Sequence, residues 1–371
     1  MAGTQNTSST SSDLWPEELD TALVSVSTCQ TIVLVNIILS SIVSPFGIVF
    51  NIVSIIVFIK LGFNESTNIS LVSLAVSDIA ILLTLVGLMV NNNPMVVQSV
   101  ASYDILDAVS YIVLGWPNVL ATRITGCLTT YLAFERFVCV AWPLKVKALL
   151  TRKTAIRFSA GLFVFSMAYS VPMYLANSIG LRFNPMSNQT SVGLIVAENS
   201  DVLEGVSRGI NIIIEFTSFT LVIGFSLCLI YFLNLNSKWR LQTSTVSKNS
   251  QFSNRDRKLV KMILLVSIVF IGCSLPNVTA DVVILLVKDY NIKGRERFLF
   301  IATTATFFNV TAINSSITIL IYLKMSSKFR RTFWAMFSMG SRRPGPALET
   351  LPPAGRVTSS QQRSSSLRYT D

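Results

Sequence analysis

Seven times along the chain the polar residues thin out and apolar ones take over. The segments run over roughly residues 32–59, 69–91, 106–140, 156–177, 207–233, 259–287 and 298–323. Each reaches the ~20 residues a helix needs to cross about 30 Å of hydrocarbon. The pattern predicts an all-α membrane protein whose bundle of seven transmembrane helices occupies residues 32–323. Residues 1–31 are polar and lack a basic n-region, so no cleavable signal peptide is expected and the first span acts as the anchor.

Within the third span the polar positions form a stripe. At about 100° per residue, Tyr111, Asn118, Thr122, Thr125, Thr129 and Arg136 fall close to one line, at spacings of 7, 4, 3, 4 and 7. Lipid cannot satisfy such a stripe, so it is predicted to face the bundle interior. Arg136 ends it at the cytoplasmic side, with Glu135 about 100° away and able to clamp it. A second reading stays open, in which Arg136 is an interfacial arginine snorkelling to lipid phosphate. Arg123 lies about 140° from Asn118 and is not explained by the stripe. Counted from the cytoplasmic ends of their spans, Arg123 and Glu215 are expected at similar depth, where an unpaired charge is costly. Mutual pairing and competition by ligand groups are both open.

Composition fits the pattern. The chain has 371 residues, of which 51% are hydrophobic and only 13% charged, against about 25% charged in soluble domains. Histidine is absent, which removes imidazole acid–base chemistry, His-based metal sites and His-activated nucleophiles. Five cysteines show no CxxC pairing. Lys and Arg crowd the connections after spans 1, 3 and 5 and the tail, whereas the other face has Arg182, Arg208, Lys288, Lys293, Arg295 and Arg297. The positive-inside rule then places the N-terminus outside and the C-terminus in the cytoplasm of a multi-pass plasma-membrane protein. The net charge of +11 reads as a signature of the cytoplasmic leaflet and its lipid, with no nucleic-acid partner. Asn6 and Asn188 head outer-face glycosylation triplets. Residues 340–371, rich in Pro, Ser and Arg, read as a disordered cytoplasmic tail.

Glu135-Arg136-Phe137, followed by Val140, Pro143 and Leu144, resembles the acid–Arg–aromatic motif of class A (rhodopsin-like) G-protein-coupled receptors. Asn51 in GIVFN, Asp78 in LAVSD, Pro172, FIGCSLP with Pro276, and NSSITILIY ending at Tyr322 follow in the family's order. The basic stretch after Tyr322 resembles the family's membrane-surface helix, over residues 324–339. Departures mark a divergent member, of an invertebrate chemosensory or peptide-receptor kind. Ser274 stands at the toggle tryptophan, Thr318-Ile319 at the Asn-Pro, and Tyr111 where a cysteine normally anchors the second outer loop. Residues 178–205 contain no cysteine, so that loop must be held by other contacts.

The resemblance implies a receptor, not an enzyme, that transduces an extracellular peptide or chemosensory small molecule to a heterotrimeric G protein. It implies an outer ligand cavity, for which the polar candidates are Asn118, Thr122, Arg123, Glu215, Asn277 and Asp281. Asn118 where amine receptors carry an aspartate disfavours a biogenic amine. The outer segments are acidic on balance, which either steers a cationic ligand or is merely a solvated surface. Glu135, Arg136, Asp256, Pro276 and Tyr322 would form the activation switch, with Arg136, latched by Glu135 and Asp256, released to the G protein. Pro143 and Leu144 would contact the G protein alongside Arg136. Asp78, Thr125, Asn314 and Ser315 would hold a sodium ion or a water network, with no other cofactor. Tail serines and threonines would engage a receptor kinase and arrestin. The rivals are a non-signalling decoy or scaffold receptor, made plausible by Ser274 and Thr318-Ile319, and a transporter or channel.

Overall fold

The computed structural model describes residues 23–99, 103–142, 146–184, 189–242, 254–290 and 294–338. Asn6, Asn188, Pro143, Leu144, the side chain of Asp256 and the tail beyond residue 338 lie outside the described residues. Among those described, seven helices are long and apolar enough to cross a membrane: Val26–Leu61, Ser66–Asn91, Asp104–Ala141, Arg152–Ala176, Ser200–Leu235, Lys258–Leu286 and Arg297–Met325. They are spans 1 to 7. Ser25 caps span 1 by accepting from the Thr28 amide, and Gly62, at φ 83°, ends it in a conformation that favours glycine.

Apolar side chains such as Ile38, Phe46, Val164 and Leu227 lie exposed on the outside of the bundle, as expected of surfaces that meet lipid. Because lipid is as apolar as leucine, helices in a membrane associate through close packing and interhelical hydrogen bonds. Both are present. Gly47 lets span 1 approach spans 7 and 2 so closely that a β-carbon there would collide with Ser316 and Leu82. Asn51 Nδ2 donates to the Ser315 carbonyl at 2.9 Å, and Ser40 donates to Asn309 Oδ1 at 2.7 Å. A cluster of Ile81, Leu82, Leu85, Ala121 and Ala312 fills the centre where spans 2, 3 and 7 meet.

Span 3 is not regular throughout. Residues Val109–Gly115 form a π-helix, closed by the Trp116 amide donating to the Tyr111 carbonyl. Pro117 follows directly and has no amide to donate, which favours a shifted hydrogen-bond pattern just ahead of it. The wider turn removes Tyr111 from the stripe that regular periodicity predicted. Asn118 bonds to span 2 through Thr84, whereas the Tyr111 hydroxyl donates to Glu204 at the start of span 5.

The connection between spans 4 and 5 is a hairpin. Strands β1 (Asn177–Asn184) and β2 (Gln189–Val196) pair antiparallel, and the helix of span 5 begins at Ser200. None of the five cysteines is in a disulfide. The loop is tied down instead by Ser191, which donates to Asp104 Oδ2 at 2.5 Å, and by Glu204. That carboxylate accepts from Tyr111 at 3.1 Å and from Asn177 Nδ2 at 2.8 Å.

After span 7 a helix runs over Ser327–Ser338. Phe329, fully buried, packs against Phe58 and Tyr322 with ring centroids 5.2 and 5.4 Å away. Phe58 and Tyr322 themselves meet edge to face at 5.2 Å. This aromatic triangle fastens the start of the helix to spans 1 and 7.

Candidate functional site

Asn118, Thr122, Arg123, Glu215, Asn277 and Asp281 all line one cavity of about 210 Å³. Its walls also include Trp116, Arg208, Tyr290, Phe300, Phe307 and Phe308, so the six sequence candidates supply most of the polar lining and aromatics much of the apolar lining. The aromatic share was missed in the sequence. Phe300 and Phe307 are seven residues apart on span 7, a helical spacing that carries the signal, but phenylalanines in a membrane span are ordinary.

Arg123 forms an ion pair through Nη1 with Glu215 Oε2 and stands 3.9 Å from Asp281 Oδ2 through Nη2. Spans 3, 5 and 6 thus share one cluster of charges. The side chains are 13%, 6% and 16% exposed, so little water screens them. Asn118 and Thr122 are turned otherwise than as free ligand contacts. Asn118 Nδ2 donates to Thr84 Oγ1 at 2.8 Å and to the Ile81 carbonyl at 3.1 Å, and Thr122 donates to the Asn118 carbonyl.

Below the cavity the stripe continues as a buried column. Thr125 and Ser315 both donate to Asp78 Oδ1, at 3.1 and 2.9 Å, and Ser77 meets Thr125 at 2.8 Å. A cavity of about 10 Å³ beside them is lined by Asp78, Thr125, Asn314, Thr318 and Phe270, close to the least space a water needs. One carboxylate with hydroxyl and amide oxygens fits a monovalent cation or a water. Among the described residues no group of three or more His, Cys, Asp or Glu could hold a metal ion.

At the far end of the stripe Arg136 is buried, as the interior reading of the stripe requires. The direct Glu135 clamp is not what holds it. Arg136 Nη2 donates to the Thr67 hydroxyl, at the start of span 2. Adjacent helical residues do not face each other, so the two side chains diverge. Glu135 is fully buried, and neither of its carboxylate oxygens makes a direct hydrogen bond. The hydroxyls of Ser66, Thr67 and Ser70, together with Arg136, surround its charge. Tyr322 lies in the aromatic triangle, and Pro276 sits inside the span-6 helix.

The sequence profile of the 7 transmembrane receptor (rhodopsin family) matches residues 50–322. The chain belongs to this family. It is 25% identical over 320 residues to the human (Homo sapiens) thyrotropin-releasing hormone receptor, covering 81% of this chain and 77% of that one. The Bos taurus thyrotropin-releasing hormone receptor is 24% identical over 319 residues, again 81% of this chain and 77% of the relative. The somatostatin receptor type 5 of Bos taurus is 24% identical over 277 residues, 72% of this chain and 66% of the relative.

Seen as a receptor of the rhodopsin family, the molecule has its family motifs at the places where helices meet. Asn51 links spans 1 and 7, Asp78 links spans 2, 3 and 7, and Arg136 links spans 3 and 2. Two of the substituted positions, Thr318 and Tyr111, find partners in the bundle. Thr318 donates to the Asn314 carbonyl within its own helix, and Tyr111 exchanges a covalent tether for a hydrogen bond.

Proposed function

We propose that this G-protein-coupled receptor sits in the plasma membrane with its N-terminus outside and binds an extracellular peptide. The relatives are named as a thyrotropin-releasing hormone receptor and a somatostatin receptor, and a peptide is on that ground favoured over a chemosensory small molecule. The observation that carries the reading is a cavity lined by Arg123, Glu215 and Asp281 toward one end of the bundle and a buried Arg136, held by Thr67, at the other. Between them lies the separate buried group of Asp78, Thr125 and Ser315.

Binding in the cavity would bias the outer ends of spans 3, 5 and 6 and favour an outward displacement of span 6 about Pro276. Arg136, freed from Thr67, would then meet a heterotrimeric G protein together with Pro143 and Leu144, and Asp256 would serve as a second restraint. Asp78, Thr125, Asn314 and Ser315 would hold a sodium ion or a water that stabilises the resting arrangement. The tail would serve a receptor kinase and arrestin, and Asn6 and Asn188 would carry glycans. No catalytic role is assigned.

The test is guanine-nucleotide exchange on a co-expressed promiscuous G protein, with ion flux recorded in the same cells during a peptide screen. Exchange that depends on peptide and on Arg136 supports the reading. Ion flux without exchange would overturn it, and peptide binding without exchange would mark a decoy.

A further inference from the structure

The charges around the cavity are unevenly shared. Arg123 faces two carboxylates, Glu215 and Asp281. Arg208, the other cation on the wall, is met by Glu204 at 3.4 Å on its own helix. Arg123 is therefore left to serve both buried carboxylates of the wall.

The geometry says which carboxylate is under-served. Glu215 holds the close ion pair with Arg123 and is the more buried of the two. Asp281 stands at the far edge of ion-pair range, 3.9 Å from Arg123; like Glu215 Oε2, its Oδ2 is buried without a hydrogen bond, but it lacks the close guanidinium. A buried carboxylate oxygen in that condition is costly until a donor arrives. It also lies on span 6, opposite the span that carries Arg123.

We propose that the cavity receives a cationic group of the ligand, a guanidinium or ammonium, which seats on Asp281 and takes it over from Arg123. The proposal rests on the chain being a receptor whose ligand enters this cavity. It adds the chemistry of the recognised group and its consequence. Arg123 keeps Glu215, while Asp281 exchanges a partner on span 3 for one on the ligand. Occupancy thereby loosens the outer tie between spans 3 and 6. A ligand anion is the less suitable visitor, since Arg123 is already shared by two carboxylates.

The test uses purified receptor in detergent and two small probes, arginine amide and citrulline amide, which differ in a guanidinium against a neutral urea. Thermal unfolding reads binding, because a ligand that binds only the folded state raises the midpoint. Arginine amide is expected to stabilise the receptor and citrulline amide is not. Asp281→Asn should raise the arginine amide concentration required by about ten-fold or more, the loss of one charge-assisted contact. Asp281→Glu should retain the response. The double variant Arg123→Gln with Glu215→Gln removes the ion pair, leaves Asp281 without its competitor, and should respond at or below the wild-type concentration.

Equal responses of wild type and Asp281→Asn would overturn the proposal. So would citrulline amide matching arginine amide, or no stabilisation by arginine amide at millimolar concentration. The readout needs no G protein. A receptor that binds arginine amide through Asp281 yet drives no nucleotide exchange upholds this inference while sinking transduction.

Discussion

Glu204→Ala removes the acceptor on which the hairpin between spans 4 and 5 converges. In the native chain that carboxylate accepts from Tyr111 at 3.1 Å and from Asn177 at 2.8 Å, with 20% of its side chain exposed. Hydrogen bonds to a charged group contribute about 1.5–3 kcal/mol each. Losing both, with some recovery by water at the partly open site, should cost about 3 kcal/mol of local stability. Opening of the hairpin would then become roughly 100-fold more frequent. Glu204→Gln keeps an acceptor for Asn177 but loses the charge, so about ten-fold is expected, and Tyr111→Phe should match it. Amide hydrogen exchange across β1 and β2, followed by mass spectrometry, reads these ratios directly. Mild reduction of the wild type should leave the same amides unchanged, because no disulfide tethers them. Exchange that is insensitive to Glu204→Ala would refute the tether, and a wild-type response to reductant would reveal a covalent bridge in its place.

Three further outcomes follow from the bundle. Exchanging the charges of the cavity pair (Arg123→Glu with Glu215→Arg) should restore the surface expression that either single neutralisation lowers; failure of the swap to rescue would contradict the Arg123–Glu215 contact. Thr67→Val removes the acceptor that holds Arg136 and should raise ligand-independent nucleotide exchange, whereas Arg136→Ala should abolish exchange; unchanged basal exchange in Thr67→Val would show that the hydroxyl restrains nothing. Phe329→Ala empties the aromatic triangle at a cost of about 3–5 kcal/mol, read as a lower yield of folded receptor, and an unaltered yield would mean that the triangle closes over the gap.

The seven spans were legible because hydrocarbon leaves so few solutions: only long apolar helices keep every backbone group bonded. The cavity was legible for a related reason. Asn118, Thr122, Arg123, Glu215, Asn277 and Asp281 are polar residues in stretches that otherwise exclude polarity, and they converge on one volume. What escaped was anything set by local backbone choice or by partners far away in sequence. A 3.6-residue period puts Tyr111 in line with Asn118, and the π-helix before Pro117 breaks that line. The hairpin from Asn177 to Val196 has a weak alternating pattern, and its anchor, Asp104, lies on another span. Arg136 meets Thr67 from 69 positions away, a pairing that no spacing within span 3 reveals.

The π-helix makes span 3 two rotors joined at a fixed angle. Below Trp116 the helix is regular down to Ala141, so the settings of Arg123, Thr125 and Arg136 depend on one another. Above it, Tyr111 and Asp104 are set separately. Deleting one residue between Val109 and Gly115 should let the segment relax to an ordinary α-helix. The lost residue and the tighter α-turn nearly cancel in rotation, so with Tyr111 itself spared the outer end would keep close to its present facing toward Glu204 while the lower rotor stays in place. The wide turn is thus one residue of slack: the mouth of the receptor can absorb a single deletion there without disturbing the inner end.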